Sequence, residues 1–239
     1  MLAAERLRPI KSCTGFYSAT LRKTSEHIMK KYILFDHDGV LVDTEYWYFM
    51  ANKKALSELG IELDIELYLK NMSNGVSCWD EVRASEIDKS TILEKREKRN
   101  QYYQDFLNKK DIEIPGVEDI LKKLSKNFKM AIVSTSKRID FETIHKKRNI
   151  VKYMEFVLTR EDYNEAKPHP EPYLKGLMKL GAKKEEALVV EDSERGLKAA
   201  VAAGIDCVVV HNEFTKTHDF SSAKYKIKTI NELPQIIWE

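Results

Sequence analysis

Three cysteines in 239 residues, Cys13, Cys78 and Cys207, are too few and too far apart for a disulfide framework or a zinc-binding spacing. That scarcity fits a reducing compartment, and a cytoplasmic protein is expected. No stretch approaches the roughly 18 consecutive apolar residues that a membrane span requires, so no membrane partner is expected. An excess of one charge is also missing. Forty Lys and Arg stand against 38 Asp and Glu, for a formal net charge of +2. A dedicated nucleic-acid binder concentrates positive charge on one face, so nucleic acid is not expected as a partner. Mixed runs such as EKREKRN (residues 94–100) read as solvated helix faces. Neither internal repeats nor low-complexity tracts stand out.

What remains is an ordinary soluble composition, 43% hydrophobic and 33% charged. The length suffices for one large domain, or for a core domain with a smaller insert. The first 28 residues differ from the rest. They are basic, lack periodicity and are interrupted by Pro9 and Gly15. They contain no apolar core long enough for a secretory signal. Their Arg and Ser content faintly resembles a transit peptide, but Glu5 and Glu26 argue against one. A disordered N-terminal extension over residues 1–28 is expected, with Met29 a candidate natural start.

Beyond it, short apolar runs alternate with helical patterns. KYILFD (31–36), KMAIVSTS (129–136), ALVVED (187–192) and CVVVHN (207–212) read as buried strands. VEDILKKLSKNF (117–128) follows Pro115 and Gly116 and places Val117, Ile120, Leu121 and Leu124 on one helical face. EPYLKGLMKLG (171–181) reads as a helix with Pro172 in its first turn and Gly181 as its stop. SERGLKAAVAAG (193–204) reads as another, with Ser193 as N-cap and Gly204 as stop. YKIKTINELPQIIW closes the chain as a short strand and a last helix. This alternation implies a parallel sheet covered by helices on both faces. Residues 44–111 break it with helical patterns and no clear strand, and are expected as a helical insert. Residues 29–43 and 112–239 then form the core domain.

In such a sheet the ligand lies beyond the carboxyl ends of the strands. Three apolar runs end there in polar groups: Asp36 and Asp38, Ser134, and Glu191 with Asp192. Gly39 lets the chain curl after the first of them. Taken alone, DHDG reads equally as a turn. An EF-hand is excluded, because glycine stands at the fourth position and Trp47 replaces the closing Glu. Ser134 alone could be a cap, Lys167 a surface lysine, and Glu191–Asp192 a helix start that favours negative charge. Together these groups offer oxygen ligands for a hard cation, a nucleophile, a phosphate clamp and a proton shuttle.

FDHDGVLVDTE, AIVSTS, AKPHPEPYL and VVEDSERGLKAAVAAG occur in an order that resembles the haloacid dehalogenase superfamily, in its branch with a helical cap after the first motif. The likeness runs from about Met29 to the end. It implies a Rossmann-like α/β core, an inserted helical cap and dependence on Mg²⁺. By resemblance, Asp36 is the nucleophile that forms an aspartyl-phosphate, and Asp38 is the general acid and then general base. Ser134, with Thr135, binds a phosphoryl oxygen, and Lys167 neutralises charge on both reacting groups. Asp192 binds Mg²⁺ beside Asp36 and the Asp38 carbonyl, with Glu191 ligating directly or through water. A carboxylate and a phosphate must approach to bonding distance, and a divalent cation with a lysine offsets their repulsion.

The expected activity is hydrolysis of a small phosphorylated metabolite. Dehalogenases attack carbon and do not need Asp38. Phosphonatases offer a cap lysine, but Lys53 and Lys54 read as surface residues. NGVSCWDEV (74–82) resembles the cap loop of sugar-phosphate mutases. Cys78 stands where they place an arginine, and Tyr48 where they have a histidine. A mutase is therefore the alternative, and a non-catalytic binder of a phosphorylated metabolite a more distant one. Asn74, Cys78 and Trp79 are the candidate substrate contacts of the cap. Tyr46, Trp47, Tyr48 and Phe49 read as cap packing rather than an aromatic platform. His37 is expected to point away from its neighbouring acids, and His169 and His211 to lie in loops. The oligomeric state is open, with a monomer favoured.

Overall fold

Ile33, Leu34 and Phe35 are consecutive and all fully buried. A strand achieves that only when both faces of its sheet are covered. In the computed structural model, which describes residues 29–83 and 86–238, this run is β1 (Tyr32–Phe35). Parallel partners flank it: β2 (Lys129–Val133) on one side and β4 (Ala187–Glu191) on the other. With β3 (Phe156–Leu158), β5 (Asp206–Val210) and β6 (Tyr225–Ile227), the order is β3-β2-β1-β4-β5-β6. Every pairing is parallel. The order reverses direction beside β1, which places a crevice at the carboxyl ends of β1, β2 and β4.

Alternate strand residues feed two cores. Ile33, Phe35, Ile132 and Val190 pack with Val117, Ile120, Leu121 and Leu124 of α5 (Val117–Leu124) and with Leu233 of α9 (Leu233–Ile237). Leu34, Val133 and Val189 pack with Tyr173 and Leu177 of α7 (Glu171–Leu180) and Leu197 of α8 (Glu194–Ala202). Gly181 ends α7 in the left-handed conformation, and the Ser193 hydroxyl caps α8 by accepting from Gly196 N. This is a Rossmann-like α/β sheet with helices on both faces.

Four further helices follow β1: α1 (Glu45–Ser57), α2 (Ile65–Ser73), α3 (Asp80–Arg83) and α4 (Lys89–Lys109). Asp64 caps α2 and Asp88 caps α4 through side-chain bonds to Leu67 N and Thr91 N. Phe49, Leu56, Tyr68, Met72, Trp79 and Ile92 share one apolar cluster, the centre of a helical cap. Among the four aromatics of α1, Phe49 is buried there, Trp47 packs on Phe106, and Tyr46 meets Phe214 of the core edge-on. Tyr48 meets Tyr103 edge-on and its hydroxyl accepts from Arg99, so it faces a cavity while the others pack elsewhere around the helix.

Residues 138–158 carry two elements that periodicity did not indicate, α6 (Arg138–His145) and β3. α6 buries only Asp140, Phe141 and Ile144, and β3 is a three-residue edge strand, so neither leaves a long pattern. The α5 helix also stops at Leu124, four residues earlier than expected, where a turn leads to buried Phe128. No helix among the described residues is long and apolar enough to cross a membrane. The expectation for residues 1–28, and Cys13 with it, lies outside the described residues.

Candidate active site

Asp36 directly follows β1, Ser134 follows β2, and Glu191 ends β4, so adjacent parallel strands deliver three polar groups to one rim. Lys167 reaches them from the loop before α7. Its Nζ donates to Asp36 Oδ1 at 2.6 Å, Glu191 Oε1 at 2.8 Å and the Val133 carbonyl at 2.8 Å. All three ammonium donors are thereby used. Burial works against the Lys167 charge, but the two carboxylates outweigh it and push its pKa up.

Glu191 is fully buried and its oxygens are committed. Oε1 also accepts from the Tyr173 hydroxyl at 2.5 Å, and Oε2 faces Asp192 N at 3.2 Å and Ser193 Oγ at 3.1 Å. Its neighbour Asp192 is different. Oδ2 accepts from Asn212 Nδ2 at 2.8 Å, while Oδ1 is enclosed and takes no partner among the described residues. Asp36, Glu191 and Asp192 each bring an oxygen within 4.8 Å of the others. Three buried carboxylates here face two cations, Lys167 in contact and the Arg195 guanidinium farther off. Burial and the Glu191 charge push Asp36 up to about 6 against the opposing lysine, and burial with the surrounding carboxylates pushes Asp192 well above the usual range. Excess negative charge, hard oxygen donors and an orphan carboxylate oxygen together fit a divalent cation such as Mg²⁺.

Two glycines permit this crowding. Gly39 has φ +80°, and a Cβ there would lie 2.0 Å from Asp192 Oδ2. A Cβ on Gly196 would lie 1.8 Å from Glu191 Oε1.

Asp38 stands in a nest of donors. Thr44 Oγ1 donates to Oδ1 at 2.5 Å; Ser136 Oγ at 2.6 Å and Ser134 Oγ at 3.3 Å donate to Oδ2. Burial alone would raise its pKa. The facing His37 and the bonds from Ser136 and Thr44 outweigh burial and hold the carboxyl well below the usual range. The expectation for His37 is corrected here. Its Nδ1 lies 3.2 Å from Asp38 Oδ2, and its Nε2 lies 2.9 Å from His145 Nε2. Strand alternation no longer applies at this point, because the backbone N–H groups of Leu41 and Val42 fold back onto the His37 carbonyl. His169 and His211 do lie in loops.

A cavity of about 190 Å³ is lined by Glu45, Tyr48, Cys78, Trp79, Arg99 and Arg195 among others. Cys78 is half-buried and reaches it. Trp79 shows it only part of its surface, being 1% exposed in the cap cluster with its indole N–H on Asn52 Oδ1. Asn74 is not brought there: its amide donates to the Lys70 carbonyl and finishes α2, a capping role that residue type alone did not reveal. Thr135 is half-buried, and its Oγ1 accepts from Arg195 at 3.4 Å. Lys53 and Lys54 are exposed on α1.

A model of the family described as haloacid dehalogenase-like hydrolase matches residues 33–210. The chain belongs to that family. It is 32% identical over 191 residues to a phosphorylated carbohydrates phosphatase of Thermotoga maritima, covering 75% of this chain and 85% of the relative. It is 32% identical over 180 residues to a phosphoglycolate phosphatase of Aquifex aeolicus, covering 72% and 80%. The fold is similar to that of a mutant CbbY from Rhodobacter sphaeroides in complex with xylulose-(1,5)bisphosphate. There the TM-score is 0.74 at 22% identity, with 86% of this chain and 96% of that one covered. It is also similar to a beta-phosphoglucomutase from Clostridium difficile, with a TM-score of 0.70 at 24% identity and coverage of 86% and 93%.

Several residues of this haloacid dehalogenase-like site carry no motif signal. Asn212 and Arg99 lie outside the four motifs, and only the folded chain gathers them. Thr44, Glu45, Ser136, Tyr173 and Arg195 lie inside the motifs, yet nothing in their spacing distinguishes them from solvated neighbours.

Proposed function

We propose that the chain is a Mg²⁺-dependent phosphomonoester hydrolase that works through an aspartyl-phosphate on Asp36. The observation that carries this reading is the pairing of Lys167 with one oxygen of Asp36 only. Lys167 orients that carboxylate, and Oδ2 takes no hydrogen bond among the described residues.

In the first step an Asp36 oxygen bonds to phosphorus and the ester P–O bond breaks. The Asp38 carboxyl gives its proton to the departing oxygen. In the second step water bonds to phosphorus, its proton passes to Asp38, and the Asp36–phosphorus bond breaks to release phosphate. Asp38 is strongly acidic in its nest, and an incoming phosphate dianion raises its proton affinity by like-charge repulsion. Ser134, turning from Asp38, and Thr135 would donate their hydroxyls to a phosphoryl oxygen, and Lys167 would offset charge on both reactants. Asp36, Asp192 and the Asp38 carbonyl would hold Mg²⁺, with Glu191 tied to Lys167 behind them; the ion supplies charge neutralisation for the meeting of carboxylate and phosphate. Residues 44–111 act as the cap that selects the substrate.

The test is phosphate release from para-nitrophenyl phosphate with Mg²⁺, with EDTA and with an Asp36→Asn variant. Turnover that needs metal and disappears in the variant supports the reading. Metal-independent turnover, or full activity in Asp36→Asn, overturns it. A sugar-phosphate mutase is the second reading. Arg99 favours it, because it lines the cavity beside Cys78 and supplies a cation near the place where mutases carry an arginine. Conversion of glucose 1-phosphate to glucose 6-phosphate without net phosphate release would establish it.

A further inference from the structure

Arg195 has more hydrogen-bonding capacity than its surroundings use. It lies in the first turn of α8, three residues after Asp192. Its Nη2 is 3.4 Å from Thr135 Oγ1 and 3.6 Å from Glu45 Oε1. Both contacts are long for a charged donor. Its Nε is enclosed and meets no acceptor among the described residues. A guanidinium carries five N–H donors in a rigid fork. Nη1 takes no acceptor among the described residues and the side chain is 23% exposed, so its terminal nitrogens can meet an anion that presents two oxygens at once.

The same side chain lines the cap cavity together with Arg99 and Glu45. Two arginines and one carboxylate leave that lining with a positive balance. The Arg195 Nη2 lies near Thr135, on the loop that follows Ser134, and near Glu45, which lines the cavity. Arg195 therefore stands between the phosphoryl side of the site and the cap side.

We infer that Arg195 is a specificity-determining residue that binds a second anionic group, carboxylate or phosphate, carried by the phosphomonoester substrate. The inference rests on the phosphohydrolase reading above. Glu45 competes with that group for the same guanidinium.

Calorimetric binding to Asp36→Asn protein with Mg²⁺ tests it without turnover. Two matched pairs serve as probes: phosphoglycolate against ethyl phosphate, and glucose 1,6-bisphosphate against glucose 1-phosphate. The first pair reports a carboxylate and the second a phosphate. At least one anionic member is expected to bind roughly tenfold or more tightly than its partner. Adding Arg195→Gln abolishes that preference, and Arg195→Lys keeps part of it. Adding Glu45→Gln instead raises it several-fold, a gain that a misfolded variant cannot produce. No preference in either pair overturns the inference, as does a preference that survives Arg195→Gln. Equal weakening of both members of a pair also overturns it, because Arg195 then serves the transferred phosphoryl or the cap contact. Phosphate release from each of the four probes by the unsubstituted enzyme is scored separately. Its absence from all four counts against the phosphohydrolase reading, while the binding ratio still decides the role of Arg195.

Discussion

Lys167 Nζ and Asp36 Oδ1 meet at 2.6 Å although 131 residues separate them in the chain. Both side chains are nearly inaccessible, at 2% and 9% exposure. Removing one partner of a buried pair strands the other. Lys167→Met leaves Asp36 and Glu191 buried without their cation. A loss of about 3–5 kcal/mol in unfolding free energy is expected. Turnover falls by roughly 10²–10³-fold for the missing charge. Urea unfolding and initial-rate measurements check both, and an unchanged unfolding midpoint would contradict the pairing.

Gly196 makes room for Glu191. The Cβ of Gly196→Ala collides with Glu191 Oε1 and forces the carboxylate away from Lys167. Destabilisation of about 1–3 kcal/mol or more is expected from overpacking, together with lost activity. Val201→Ala on the exposed part of the same helix serves as control and should change little. Thermal melts of the two variants decide the point.

Protons and metal compete for the same carboxylates. Asp36 is raised to about 6 and Asp192 is raised as well, both first by burial. Above pH 6 the Asp36 carboxylate is free to bind; below it the bound proton must be displaced. Mg²⁺ affinity should therefore drop on acidification, by about tenfold per pH unit for each proton displaced. Calorimetric titrations at pH 7.5, 6.5 and 5.5 measure it. A flat profile would argue against Asp36 and Asp192 as ligands.

His145 makes stability depend on pH in the acid direction. Burial, then the facing His37 and Arg148, lower its pKa to about 3. Above its ordinary value of 6.5 the ring is neutral folded or unfolded, and its contribution is fully present. Between 6.5 and 3 the unfolded chain takes up a proton that the folded one refuses, so stability falls with pH. The slope is at most about 1.4 kcal/mol per pH unit, and lower because the ring is only half-buried. His145→Gln should flatten the difference curve across this window. Urea midpoints of both proteins from pH 7 to pH 4 supply the comparison.

Much of the site was legible because its residues sit at the ends of apolar runs. Asp36, Ser134 and Glu191 each close a strand, and β1, β2 and β4 are adjacent, so local pattern plus the rule for parallel sheets located them. Lys167 was legible only through its motif, since nothing around AKPHP says how far its side chain reaches. The cap was harder to read. Asn74 proved to be a helix cap and Trp79 mainly a packing group, because composition cannot tell a cavity wall from a cluster centre. His37 misled because alternation holds only while the strand continues, and the chain turns immediately after Phe35.

The sequence by itself determined the α/β alternation, the strand ends that carry acids and hydroxyls, and the family to which they belong. Those properties are local, written in periodicity and short spacing. Only the tertiary structure decided which oxygens are already spent and which remain available. Glu191 is consumed by Lys167, Tyr173 and the start of α8, whereas Asp192 keeps one oxygen without a partner. It also decided that Arg99 and Arg195, from separate parts of the chain, line one cavity. The physical reason is that hydrogen-bond capacity is settled between residues far apart in sequence, and no local pattern records that settlement.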